Sequence, residues 1–188
     1  MAYKRFWYDQ EKGDAQGSTV LRPDEPARPV APPEPAAKPS PGVLPGASVY
    51  FSPGKDPEEK IKGFIQRTEK TLDIALFAFT SREILKVLKE AISRGVKVLI
   101  VMDKGQAAIG NSCYPLLTPV LGNNVILDRS EYQQHNKFAI SDNRAVITGS
   151  YNWSDRATKN MENLVILRDP AIVKSYIDYY SQLWISND

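Results

Sequence analysis

TLDIALFAFTSREILKVLKEAISRGVKVLIVM, residues 71–102, carries the reading of the fold. Residues 71–79 form an apolar, β-type run. Thr80 with Glu83 then makes a capping box, and Ile84, Leu85, Leu88 and Ile92 recur at helical spacing. Gly95 stands where the helix must stop, and VKVLIVM over 96–102 reads as a buried strand. Strand, helix and strand in this order call for an α/β sheet with helices on its faces.

The pattern continues on both sides. Upstream, residues 48–51 read as a strand. A helix follows, with Asp56 as N-cap, Pro57 at N1, Glu59 at N3 and an apolar face of Ile61, Phe64 and Ile65. Downstream comes an irregular stretch over 105–110, a short helix over 113–121 and a strand over 125–127. Two strands, 137–141 and 145–148, are joined by Asp142-Asn143, a turn-forming pair. A strand over 164–167 precedes a last helix that opens with Asp169-Pro170. It carries Ile172, Val173, Tyr176, Ile177, Tyr180 and Trp184. Trp153 and the stripe Tyr176, Tyr180, Trp184 read as core rather than base-stacking platforms. No internal repeat is visible.

The 188 residues suffice for one ordinary domain, placed at 47–188, plus a tail. Nine of the fourteen prolines precede residue 47, in a stretch almost free of large apolar side chains. Such a stretch cannot bury enough surface to offset chain entropy, so 1–46 reads as a disordered Pro-rich linker. The cluster Phe6, Trp7, Tyr8 has no readable target. Net charge is +2 and all of it belongs to 47–188, so nucleic acid would need a local basic patch. Lys104, Arg156 and Lys159 either line such a path or are ordinary solvent charges. One Cys and one His exclude an intrachain disulfide and make a structural zinc site improbable. No run approaches eighteen apolar residues, and no signal-peptide h-region follows Lys4 and Arg5. Compartment stays open between cytoplasmic and, with a leader removed, periplasmic or secreted.

The chemistry concentrates in His135-Asn136-Lys137-Phe138-Ala139-Ile140-Ser141-Asp142, followed by Gly149-Ser150-Tyr151-Asn152. In an extended 135–140, His135 and Lys137 share one face, with Phe138 and Ile140 on the core-facing other. An ammonium beside an imidazole suits a phosphate ester. The lysine stabilises developing negative charge, and the imidazole serves as nucleophile or proton carrier. Gly149 permits a tight turn, and Ser150 and Asn152 offer donors to phosphate oxygens.

His135, Lys137 and Asp142, with Gly149-Ser150 and Asn152, resemble the HxKxxxxD and GSxN motif of the phospholipase D superfamily. Phe51-Ser52-Pro53-Gly54, Ala78-Phe79-Thr80-Ser81, Gly95-Val96-Lys97-Val98 and Asn160-Met161-Glu162-Asn163 look like its small single-motif bacterial endonuclease branch. The likeness covers roughly 48–185. It implies an α/β/α sandwich with a mixed central β-sheet and a phosphohistidine mechanism without metal or cofactor. It assigns His135 as nucleophile or general acid and Lys137, Ser150 and Asn152 as phosphate ligands. Glu162 would orient the histidine. Asp142 joins the catalytic set in a structural or orienting part. Gln133-Gln134 before His135 departs from the motif and is expected to alter only the local surface.

His135 is the only histidine, so a two-histidine mechanism cannot occur within one subunit. Two-fold symmetry is the commonest way to duplicate a site, which predicts a homodimer with one composite cleft. The expected activity is a metal-independent phosphodiesterase or endonuclease cutting DNA or RNA with little sequence preference. A phospholipase D-type hydrolase acting on phospholipid headgroups ranks second. A catalytically silent nucleic-acid-binding module ranks third.

Overall fold

Residues 46–187 are described by the computed structural model of the chain. The linker read over 1–46 and the aromatic cluster 6–8 lie outside them, except for Gly46. The elements run β1 (Ala47–Phe51), α1 (Asp56–Arg67), β2 (Thr71–Leu76), α2 (Arg82–Ser93), β3 (Lys97–Met102), α3 (Lys104–Ala107), α4 (Tyr114–Leu121), β4 (Val125–Leu127), β5 (Lys137–Ser141), β6 (Ala145–Gly149), β7 (Asn163–Leu167) and α5 (Pro170–Ile185).

The strands form one seven-stranded sheet in the order β1-β7-β6-β5-β2-β3-β4. β2, β3 and β4 are parallel; the remaining pairs are antiparallel. On one face, Ile61 and Ile65 of α1, Ile84 and Leu88 of α2 and Leu117 of α4 pack over Leu72, Ile74, Ile100 and Ala139. On the other, Val173 and Tyr180 of α5 cover Ala75, Val101, Phe138, Ile140 and Val146. Helices thus lie on both faces of a mixed sheet, and every residue of β5 is buried. The expected α/β/α sandwich is present.

Local readings shift at the caps. Ser81, not Thr80, caps α2, its hydroxyl accepting from the Ile84 N–H at 3.3 Å. The Thr80 and Ser81 N–H groups both donate to the Trp153 carbonyl, at 2.9 and 3.0 Å, which holds Thr80 in the connection instead. The cap of α1 is Lys55, in helical conformation and without a side-chain bond, so Asp56 lies inside the first turn. The strand read over 71–79 ends at Leu76, because the Phe77 N–H turns to the Asn136 carbonyl at 2.8 Å. The irregular stretch near residue 105 begins as α3, capped by Asp103, which accepts from the Gln106 N–H.

Asp142 and Asn143 join β5 to β6 with φ of 51° and 55°. Positive φ at both central residues is what a tight hairpin turn requires, and Asp and Asn tolerate it.

Candidate active site

β2 ends and β5 begins at the same edge of the sheet, with Leu76 opposite Lys137. His135 is exposed just before β5, its ring 4.4 Å from that of Phe77. Lys137 is buried, 7% exposed, with its Nζ 4.8 Å from the Phe77 ring centroid. That Nζ donates to the His135 carbonyl at 2.6 Å. Burial pushes the Lys137 ammonium below the ordinary lysine value, and the Glu162 charge pulls the other way. Two residues of one strand end therefore give an accessible imidazole and a shielded cation.

The second half of the site rests on Gly149. Its φ is +146°, and a Cβ there would meet the Asn163 carbonyl oxygen at 2.3 Å. Only glycine permits this approach of β6 to β7. The approach sets Ser150 against the start of β7. The Ser150 Oγ donates to Glu162 Oε2 at 2.5 Å and accepts from the Asn163 N–H at 3.1 Å. Glu162 is held further by Asn160 Nδ2, donating to Oε1 at 3.0 Å. Its N–H donates to Ser52 Oγ at 3.2 Å, and its carbonyl accepts from the Ser52 N–H at 3.0 Å. Asn152 follows, half-buried, with its Oδ1 buried and without a hydrogen-bond partner. Trp153 anchors the segment in the core, edge-on to Phe79 at 5.5 Å.

Asp142 is not brought to this site. It stands at the opposite end of β5 from Lys137, about 17 Å along the strand. Its carboxylate accepts from the N–H groups of Glu69, Lys70 and Thr71 at 3.0, 2.7 and 2.9 Å. Burial alone would raise its pKa, but these donors outweigh burial and hold it below the ordinary carboxylate range. Asp142 ties the β5–β6 hairpin to the start of β2 and stands apart from His135 and Lys137.

The surface reading of Gln133-Gln134 is also corrected in part: Gln133 is exposed, but Gln134 is buried. Gln134 Oε1 accepts from the Asn136 N–H at 2.7 Å and from Asn136 Nδ2 at 2.9 Å, while Nε2 donates to the Val101 carbonyl at 3.4 Å. The Gln134 N–H donates to the buried Asp103 carboxylate at 3.2 Å. The backbone on both sides of His135 is thereby fixed. Asp103 went unread in the sequence, and Gln134 and Ser52 were read there without these contacts, because each acts through a partner fixed only by the fold. Lys104 is exposed, with its Nζ donating to the Ser130 carbonyl at 2.7 Å, and Arg156 and Lys159 are exposed. Among the described residues no three His, Cys, Asp or Glu side chains gather as metal ligands, and no helix is long and apolar enough to cross a membrane.

Residues 61–184 match the family described as the cardiolipin synthase, PLD-like domain. A mitochondrial cardiolipin hydrolase of Xenopus tropicalis is 36% identical over 124 residues, 65% of this chain and 58% of that protein. A phospholipase D of Rickettsia conorii is 30% identical over 142 residues, 74% of this chain and 70% of that protein. This chain spans about half the length of most cardiolipin hydrolases it matches. Among solved structures, Nuc of Salmonella typhimurium, a phospholipase D family member, superposes with a TM-score of 0.68 at 28% identity. That match covers 76% of this chain and 95% of that one. NucT from Helicobacter pylori superposes with a TM-score of 0.69 at 27% identity, over 75% and 96%. By its sheet, its site segments and the family match over residues 61–184, the chain belongs to the phospholipase D superfamily.

Proposed function

We propose that the chain is a phosphodiesterase that cleaves DNA or RNA with little sequence preference, without a metal, in a cleft shared by two copies. The observation that carries this is an exposed His135 and a buried Lys137 that both meet the Phe77 ring, with the Lys137 Nζ bound to the His135 carbonyl. An imidazole nitrogen of one His135 attacks phosphorus and displaces one ester oxygen, forming a P–N bond. The leaving oxygen takes a proton from the imidazolium of the second copy's His135. That imidazole then removes a proton from water, whose oxygen attacks phosphorus and frees the first histidine. Lys137 stabilises the non-bridging oxygens throughout. Ser150 and Asn152 add donors. Glu162, hydrogen-bonded to Ser150, serves as the carboxylate that orients the imidazole.

The exposed Tyr132 and Met161 support a shared cleft. They are 82% and 93% exposed, and they lie three residues from His135 and one from Glu162. Large apolar side chains left this exposed suit burial against a second copy. A second reading, hydrolysis of a phospholipid headgroup, draws support from the names of the cardiolipin hydrolases above. The same chemistry would serve both.

The deciding test is a panel of single-stranded DNA, duplex DNA, RNA and cardiolipin vesicles, run on wild type and His135→Ala with and without EDTA. Nucleic-acid cleavage that survives EDTA and drops at least ~10³-fold in His135→Ala is expected. Hydrolysis of vesicles alone selects the lipid reading. Binding without turnover on every substrate selects the silent module. Activity lost in EDTA and restored by a divalent ion removes the metal-free mechanism.

A further inference from the structure

A cavity of about 760 Å³ runs along β4, the last strand of the sheet. Tyr114 of α4, Lys104 of α3 and Asn187 beyond α5 are among its walls. At the end of β4 stands Asp128, which lines the cavity and is only 5% exposed. Its N–H donates to the Met102 carbonyl at 2.8 Å, yet its carboxylate Oδ2 is buried with no hydrogen-bond partner. A buried carboxylate oxygen without a donor is costly, and such groups are rare unless something supplies one. The backbone just after Asp128 is tied down. The Arg129 N–H donates to Asn187 Oδ1 at 2.7 Å, and Lys104 Nζ holds the Ser130 carbonyl.

The cavity lies on the same sheet as the active site. Lys137, Leu76, Met102 and Leu127 form one row across β5, β2, β3 and β4. Three strand spacings, about 14 Å, separate the ends of that row. Asp128 sits one residue beyond it, at the strand ends where His135 also lies. A polynucleotide strand with a phosphate at His135 can reach it.

We propose that this cavity is a nucleobase subsite that takes a base carrying an exocyclic amino group. The inference rests on the nucleic-acid reading above and adds a modest preference at one position. Asp128 accepts from the amino group, as carboxylates accept from the cytosine amine. The Tyr114 ring offers a stacking face. Lys104, with N–H groups beyond the one given to Ser130, meets a backbone phosphate. Thymine presents a carbonyl where cytosine presents its amine, so it would set an oxygen against the carboxylate. A peptide strand added to β4 fits less well, because the edge is only three residues long.

The test is cleavage of oligo-dC and oligo-dT by the full chain. Wild type is expected to favour oligo-dC about tenfold in kcat/KM, and Asp128→Asn to bring that ratio towards one. The ratio is taken on a single preparation, so a partly unfolded variant lowers both rates and leaves it unmoved. A second variant, Tyr114→Leu, should raise KM for both homopolymers about tenfold through lost stacking. A wild-type ratio of one, a ratio that Asp128→Asn does not change, or an unmoved KM in Tyr114→Leu each overturns the subsite. Cleavage of both homopolymers without discrimination sinks the subsite alone. Hydrolysis of cardiolipin vesicles with neither homopolymer cut sinks the nucleic-acid reading, and the subsite with it.

Discussion

Lys137 holds its charge where burial opposes it. The shielding that makes the ammonium effective against a phosphate also lowers its pKa from the ordinary lysine value. Activity should therefore fall as pH rises through a value below that of a free lysine. In Lys137→Arg the guanidinium stays charged, so kcat drops but the alkaline limb disappears from the pH–rate profile. Gln134 acts on the neighbouring histidine through the backbone. Gln134→Met leaves the Asn136 N–H and Nδ2 without that acceptor, and kcat should fall about tenfold with KM little changed. A change in KM alone would mean that Gln134 does not position His135. The two kinds of residue differ in legibility. His135 and Lys137 stand two apart on one segment, and the motif they form with Asp142, Gly149, Ser150 and Asn152 makes them legible where the pair alone would not. Ser52 and Glu162 are 110 residues apart, and Asp103 and Gln134 are 31 apart; only the strand order brings them together.

At the scale of elements, two aspartates pull stability in opposite directions with pH. Asp73 of β2 is pushed up to about 6 by burial, with Lys97 acting against the shift. Its folded-state pKa lies above the unfolded value, so the fold loses stability as pH rises from about 4 through about 6. Asp73→Asn should remove that slope and raise stability at pH 7 by up to about 2 kcal/mol, read from thermal melts across pH. Asp142 has the reverse sign. Its pKa is depressed, so its contribution is present above the unfolded value and fades as pH falls through the folded one. Asp142→Ala removes the acceptor of three N–H groups and should cost about 2 kcal/mol at pH 7. Periodicity made the strands and helices legible, because each buries a continuous face. The caps of α1 and α2 slipped by one residue, because Asp56 and Thr80 are plausible caps locally. Thr80 is held in the connection by a bond to Trp153, far along the chain.

At the scale of the whole molecule, one histidine per chain makes stoichiometry a mechanistic question. The nucleophile and the proton carrier are both imidazoles in the proposed reaction, so a lone copy holds half of the chemistry. The exposed Tyr132 and Met161, near His135 and Glu162 in sequence, are the surface a second copy would cover in this proposal. Subunit mixing tests this without a structure of the assembly. If wild type and His135→Ala are exchanged in equal amounts, about a quarter of the dimers carry two histidines, against half for chains that act alone. Specific activity per wild-type chain should then drop to about half, and further as the variant is added in excess. Light scattering on the same samples reads the mass. A mass of one chain at full activity, or activity per wild-type chain indifferent to excess His135→Ala, would mean that the second imidazole is not used. The proton for the leaving oxygen would then have to come from another group of the same chain, and Glu162, which already bonds Ser150 beside the site, is the first to substitute.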